Sequence, residues 1–301
     1  MAVKTVQAII NGQTYNLTLN SSTGKYEATI TAPPSSSYPL DGHYYPVTIK
    51  ATDAAGNVAT KDSTDSSIGS QLRLKVKEKT APVIAITSPT SGQLMTNNKP
   101  AITWTVEDAD SGVNPDSIKL TVDSTEITSG ITKTLSGKKY TCSYTPSSAL
   151  SDGSHTIKVD ASDYDGNAAT QVTRTFKVDT TPPQLSVVSP AAGLVTKTPA
   201  LTVSGTTNDA TSSPVTVTVK LNSGSAAAVT VGSDGTWSTS VTLTEGSNTI
   251  VVTATDGAGK STSVTRTVTL DTKAPSIVSV TLTPNPVDAG KTFVISVEVT
   301  D

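Results

Sequence analysis

Apolar and polar residues alternate along this chain in short runs, and three of those runs end the same way. Val47, Ile49 and Ala51 alternate with Thr48 and Lys50 before Asp53. Ile157, Val159 and Ala161 do the same before Asp163, and Ile250, Val252 and Ala254 before Asp256. A period of two places each apolar trio on one face of a strand. A one-residue slip would turn that face to solvent, so the register is well specified. Each run then enters a short motif: Ala51-Thr52-Asp53-Ala54-Ala55-Gly56-Asn57, Ala161-Ser162-Asp163-Tyr164-Asp165-Gly166-Asn167 and Ala254-Thr255-Asp256-Gly257-Ala258-Gly259-Lys260. The motif reads as a tight turn, with Asp capping its own turn and Gly supplying positive φ. Lys260 stands where the other copies have Asn, so the third turn is expected to differ slightly.

The same alternation divides the chain into units. In residues 1–79 it predicts a strand from Val3 to Asn11, with Asn11-Gly12 as a hairpin signal. Further strands hold Tyr15, Leu17 and Leu19, then Tyr26–Ile30, then Val47–Ala51, and last Leu72, Leu74 and Val76. Residues 80–180 carry strands at Ile102/Trp104/Val106, Ile118–Val122, Lys139–Tyr144 and Ile157–Ala161. Residues 181–273 carry Asp234-Gly235-Thr236-Trp237 as a hairpin turn, and an exit strand, Thr265–Thr272, that mirrors Thr173–Thr180. Boundary prolines stand at Pro82, Pro183 and Pro275, 101 and 92 residues apart. About seven short strands per ~100 residues fit an immunoglobulin-like sandwich. The expected fold is all-β: tandem immunoglobulin-like β-sandwiches in an extended rod, with short linkers stiffened by Pro. Unit 1–79 is a shortened or divergent immunoglobulin-like domain, lacking the ~35 residues that open the second. Units 80–180 and 181–273 are complete domains. Residues 274–301 hold the opening strands of a further one, Ile277–Leu282 and Phe293–Val299.

Composition supports the β reading. Hydrophobic residues are 35%, charged residues 16% and aromatics 4%, so the cores are built from Val, Ile, Leu and Ala, with Thr favouring strands. The net charge of −3 leaves no basic stripe for nucleic acid. No apolar run approaches the ~18 residues of a transmembrane helix. No apolar segment of a secretory leader follows Met1. Cys142 is the single cysteine, so no intrachain disulfide forms. Its place in an alternating run makes it a small core hydrophobe.

Candidate chemistry is sparse. Asp53, Asp163, Asp165 and Asp256 are candidate Ca²⁺ ligands, with Asp108 and Asp110 able to join them where domains meet. Their spacing matches no Ca²⁺ loop, and the turn role is preferred, so no metal or cofactor is expected. His43 and His155 each open a motif strand in a different domain. They are read as structural, and one His per domain builds no Ser/His/Asp set. No paired carboxylates, phosphate loop or zinc spacing is present. No catalytic, cofactor-binding or metal residues are therefore assigned, and the chain is read as a non-enzyme. Trp104 and Trp237 are expected in cores. Tyr38, Tyr44 and Tyr45 are the better candidates for an exposed carbohydrate-facing cluster.

The Ala-x-Asp-x-x-Gly-Asn motif, with its x-Ala-Pro or x-Pro-Pro boundary, resembles bacterial immunoglobulin-like repeats, covering residues 80–273 well and 1–79 in part. The first unit, with His43-Tyr44-Tyr45-Pro46-Val47, looks like the immunoglobulin-like proteins of bacteriophages and prophage tail-like particles. The resemblance implies a structural component of a phage or phage-like particle, at its tail or surface, located in the virion. Its expected partners are other structural proteins of the particle, bound through the first domain. Host-surface carbohydrate and a head-to-tail second copy are further candidates. Nucleic-acid binding and membrane insertion are not expected. The alternatives are a bacterial cell-surface adhesin or cell-wall spacer, and an accessory module of a secreted polysaccharide-active enzyme.

Overall fold

The computed structural model describes residues 2–301, which divide into two compact units, one ending at Val178 and the other starting at Asp179. In the first unit the alternating runs form β1 (Val3–Ile10), β2 (Gln13–Asn20), β3 (Lys25–Glu27), β4 (Tyr45–Asp53), β5 (Val58–Lys61) and β6 (Arg73–Leu74). These six make one sheet in the order β3-β2-β1-β4-β5, with β6 paired to the start of β4. Asn11 and Gly12 close the β1–β2 hairpin at φ of 48° and 74°, as the Asn-Gly signal requires. The strand expected through Leu72, Leu74 and Val76 is shorter: Gly69–Leu72 is a 3₁₀ turn, and only Arg73–Leu74 pair.

A two-sheet sandwich follows in the same unit. It is built from β7 (Val83–Ser88), β8 (Leu94–Met95), β9 (Ile102–Glu107), β10 (Lys119–Val122), β11 (Thr125–Ile127), β12 (Thr132–Ser136), β13 (Lys139–Tyr144), β14 (Gly153–Asp160) and β15 (Val172–Val178). One sheet runs β11-β10-β14-β15-β8 and the other β12-β13-β9-β7. The opening segment serves both: β7 pairs antiparallel with β9, and β8 then pairs parallel with β15. The apolar faces meet in one core. Trp104, Phe176, Ile102, Leu120, Ile157, Val159 and Cys142 are almost wholly enclosed there.

The second unit repeats the plan with β16 (Gln184–Ser189), β17 (Leu194–Thr196), β18 (Ala200–Asn208), β19 (Thr216–Leu221), β20 (Ala227–Val229), β21 (Thr236–Thr242), β22 (Gly246–Thr255) and β23 (Ser261–Leu270). The sheets are β16-β18-β21 and β17-β23-β22-β19-β20, again with a parallel β17–β23 pair. Val203, Val217, Ile250, Val252 and Val268 fill its core beside Trp237. Gly205 lets β18 pass close to β16 and Trp237, since a Cβ there would lie 1.9 Å from the Ser186 carbonyl oxygen. β24 (Ser276–Thr283) and β25 (Val294–Thr300) form a separate two-stranded pair with Ile277, Val280, Ile295 and Val297 exposed. The molecule is thus all-β, with tandem immunoglobulin-like sandwiches.

Candidate functional site

The functional residues of interest are acidic, and they lie in the segment before β7 and the loops that follow β9 and β14, with their counterparts before β16 and after β18 and β22. All three motif aspartates cap their turns. Asp53 Oδ1 accepts the Ala55 and Asn57 amides, each at 2.9 Å. Asp163 Oδ1 accepts the Asn167 amide at 2.8 Å, and Asp256 Oδ1 accepts those of Ala258 and Lys260 at 2.8 and 2.9 Å. Asn57 and Asn167 also donate their side-chain amides to the second carboxylate oxygen, at 2.9 and 2.7 Å. The Asn-to-Lys change in the third copy has a definite consequence: Asp256 Oδ2 is buried and has no hydrogen-bond partner.

Two of these aspartates also sit in carboxylate triads. Glu78, Asp108 and Asp163 bring one oxygen each within 4.8 Å of one another, and Asp179, Asp209 and Asp256 do likewise. Asp108, Asp163, Asp179, Asp209 and Asp256 are all buried. The ion pairs among the described residues involve none of the six. Like charges at this spacing repel by roughly 3 kcal/mol per pair at an effective dielectric near 20. Loop amides offset part of that. Asp110 and Gly112 donate to Asp108 Oδ1, and Thr211 and Ser212 donate to Asp209 Oδ1. Ser111 donates its amide to Glu78 Oε1 at 2.6 Å, and Ser212 Oγ donates to Asp179 Oδ2. An all-oxygen carboxylate and hydroxyl set suits a hard divalent cation rather than zinc or copper.

The structure separates the other sequence candidates. Asp53 and Asp165 join neither triad. Asp110 turns away to accept the Ser36 amide with both carboxylate oxygens, at 3.1 and 2.9 Å. Sequence reading missed Glu78, Asp179 and Asp209, although a signal was present. An acid stands four residues before every boundary proline (Glu78, Asp179, Asp271) and an Asp 26 residues after it (Asp108, Asp209, Asp301).

The tyrosine cluster is corrected. Tyr45 is buried and donates its hydroxyl to the Ser35 carbonyl at 3.2 Å. Tyr38 is stacked between His43 and Tyr164, with ring centroids at 4.3 and 4.2 Å. Tyr44 lies under the Arg73 guanidinium. Their faces are used internally, so they form no open platform for a sugar. His155 is buried, its Nδ1 2.9 Å from Asp123 Oδ2 and its Nε2 2.8 Å from the Ser151 carbonyl. Trp104 and Trp237 are core residues, each with an indole N–H that finds no partner. Burial pushes the Cys142 thiol up to about 11, slightly opposed by the Lys133 charge. A groove of about 1030 Å³ runs along the side of the second unit's sandwich, lined by residues such as Leu185, Pro214 and Val217.

Residues 183–272 match the family described as glucodextranase, domain B, and residues 82–159 match a bacterial Ig domain. No curated protein matches the chain. Among solved structures, the chain is similar to the I-band fragment I67–I69 from titin, at 13% identity over 89% of this chain and 88% of that one, with a TM-score of 0.47. It is also similar to the fibronectin(III)-like modules of Clostridium thermocellum CbhA, at 19% identity over 63% and 94%, TM-score 0.35. Sidekick-1 immunoglobulin domains 1–4 are similar at 11% identity over 89% and 68%, TM-score 0.36.

Proposed function

We propose that this chain is a non-catalytic stalk segment of an extracellular or cell-surface bacterial protein, holding a binding or catalytic partner domain away from a surface. The observation that carries this reading is the joint between the first sheet and the sandwich that follows it. Asp110 grips the Ser36 amide, and Asp165 accepts the Glu78 amide at 3.0 Å. Asn167 donates to the Glu78 carbonyl at 3.2 Å, and Lys77 to the Asp165 carbonyl at the same distance. Tyr38 stacks on Tyr164. A passive linker needs none of these bonds. The two bonds to the Asp110 and Asp165 carboxylates are charge-assisted and contribute about 1.5–3 kcal/mol each, the neutral Asn167 bond and the ring stack about 1 kcal/mol each, and the exposed Lys77 bond little. Together they restrict bending at this joint, as a spacer requires.

The extracellular placement is supported by the bacterial Ig and glucodextranase domain B matches. The second of these favours a role as accessory region of a polysaccharide-active enzyme. A second reading puts the same stalk on a phage or phage-like particle. It is supported by the resemblance of the His43–Val47 segment, and there weak contacts gain from multivalency. Fractionation of the native full-length protein tests the choice. Recovery in cell wall or culture medium is the expected result. Recovery only in purified particles would overturn it in favour of the second reading.

A further inference from the structure

We propose that the two carboxylate triads are calcium sites, one formed by Glu78, Asp108 and Asp163 and the other by Asp179, Asp209 and Asp256. The proposal does not depend on where the protein is located. Each triad gathers three carboxylate oxygens within 4.8 Å of one another, a spacing that a shared cation explains and mutual repulsion opposes. The loop amides converge on Oδ1 of Asp108, Asp209 and Asp256. That pins the side chains, and in Asp256 it leaves Oδ2 buried without a hydrogen-bond partner.

A second observation, the unmet hydrogen bonds of buried atoms at the two sites, points the same way. Each site holds a polar atom that is buried and unsatisfied. At the first it is the hydroxyl of Ser111, a residue 4% exposed. At the second it is Asp256 Oδ2, on a residue 6% exposed. The Ser111 amide donates to Glu78 Oε1, which sets Ser111 beside the first triad, and its counterpart, Ser212, directs its hydroxyl at Asp179 and Asp209. Buried polar groups are nearly always paired, so an orphan in each of two repeated sites calls for a ligand.

Calcium fits the donors better than other cations. It accepts six to eight oxygens in irregular geometry, and water can complete the shell around three carboxylates and a hydroxyl. Magnesium demands a near-ideal octahedron and gives up its water reluctantly, which irregular loops serve poorly. The recurrence is specific. Asp53, in the first sheet, has the turn but no acids corresponding to Glu78 and Asp108, and it forms no triad. Bound calcium would fix the Glu78 segment to the sandwich that begins at β7, and the Asp179 segment to the sandwich that begins at β16.

The test uses the full chain, stripped with chelator and titrated with calcium chloride alone by calorimetry, with thermal melts in parallel. The expected result is two calcium ions per chain and a Tm that rises with calcium and falls back on adding EGTA. Glu78→Gln and Asp209→Asn should each lower the stoichiometry from two to one, and the double variant to zero. Glu78 is only half-buried, so its variant keeps the fold, which far-UV circular dichroism checks. Magnesium in place of calcium should bind at least tenfold more weakly. Absence of calcium heat and of any Tm shift at millimolar calcium would overturn the proposal. So would unchanged stoichiometry in the folded variants, or equal binding of magnesium.

Discussion

Ile157, Val159 and Ala161 are sealed inside the sandwich of β7–β15, while Val47, Ile49 and Ala51, at the same three positions before the motif aspartate, are only half-buried. The strands match: β1, β2, β4 and β5 surround the first motif as β10, β11, β14 and β15 surround the second. The difference is the opposing sheet. In the sandwich β7 and β9 join β12 and β13 to cover the apolar face. The first sheet has no counterpart of β7 or β9 among the described residues. It buries Ala8, Ile10, Tyr45 and Leu72, and exposed carboxylates tie its turns. Hydrogen bonds from Asn20 and Thr23 hold Glu27 below the usual carboxylate range, and those from Asn57 do so for Asp53. Thr64 does the same for Asp62, and Lys61, followed by Ser67, for Asp65. One alternating run specifies a strand face; burying that face takes a second layer.

That contrast breaks most visibly at the sandwich core. Trp104→Ala should cost about 4 kcal/mol, since it empties the largest enclosed side chain in the sandwich. Domain-resolved hydrogen exchange should show the loss in β7–β15 and leave β1–β6 little changed. Gly205→Ala should cost about 3 kcal/mol in the other complete sandwich, because the new methyl meets the fixed Ser186 carbonyl and the Trp237 ring. A loss below 1 kcal/mol would show that β16 and β18 are free to part. The paired truncations Ile157→Ala and Ile49→Ala sharpen the comparison directly. The first should cost about 3 kcal/mol and the second about 1, by the same exchange measurement. Equal costs would mean that the first sheet is covered after all.

As at the Asp234 turn of the second unit, where Thr236 holds the carboxylate below its usual range, acid should act on the turns of the first sheet. Its four carboxylates have folded values below their unfolded ones. Their stabilisation is therefore complete above the unfolded range near pH 4 and is lost as pH falls through the folded values. Exchange protection at these turns should drop on acidification below about pH 4. The smallest effect concerns Cys142. With its thiol raised to about 11, only about one part in a thousand is thiolate at pH 8. Alkylation of the native chain should be slow, and should speed up in the Trp104→Ala variant as the core loosens.

Much of the fold was legible because it rests on short-range rules. The Asn11-Gly12 hairpin, the alternation of Ile102, Trp104 and Val106, and the motif turns all follow from local backbone and side-chain preference. The candidate site was legible in part. Asp163, Asp256 and Asp108 were in view, but the sequence neighbours of each motif aspartate match no metal loop. Its partners lie 85 and 55 residues away at Glu78 and Asp108, and 77 and 47 away at Asp179 and Asp209. Asp110 looked equivalent to Asp108 and turned out to bind Ser36, because a one- or two-residue step along a loop reverses where a side chain points. Tyr45 failed as a surface residue for a similar reason: its strand position faces inward, whatever its polarity.

The sequence by itself determined the strands, their register and the repeat, since a period of two and the turn residues act within a few positions of each other. Only the tertiary structure decided which strands gain a covering sheet and which acids meet. Both depend on contacts between segments far apart in the chain, and no local pattern encodes the distance between them.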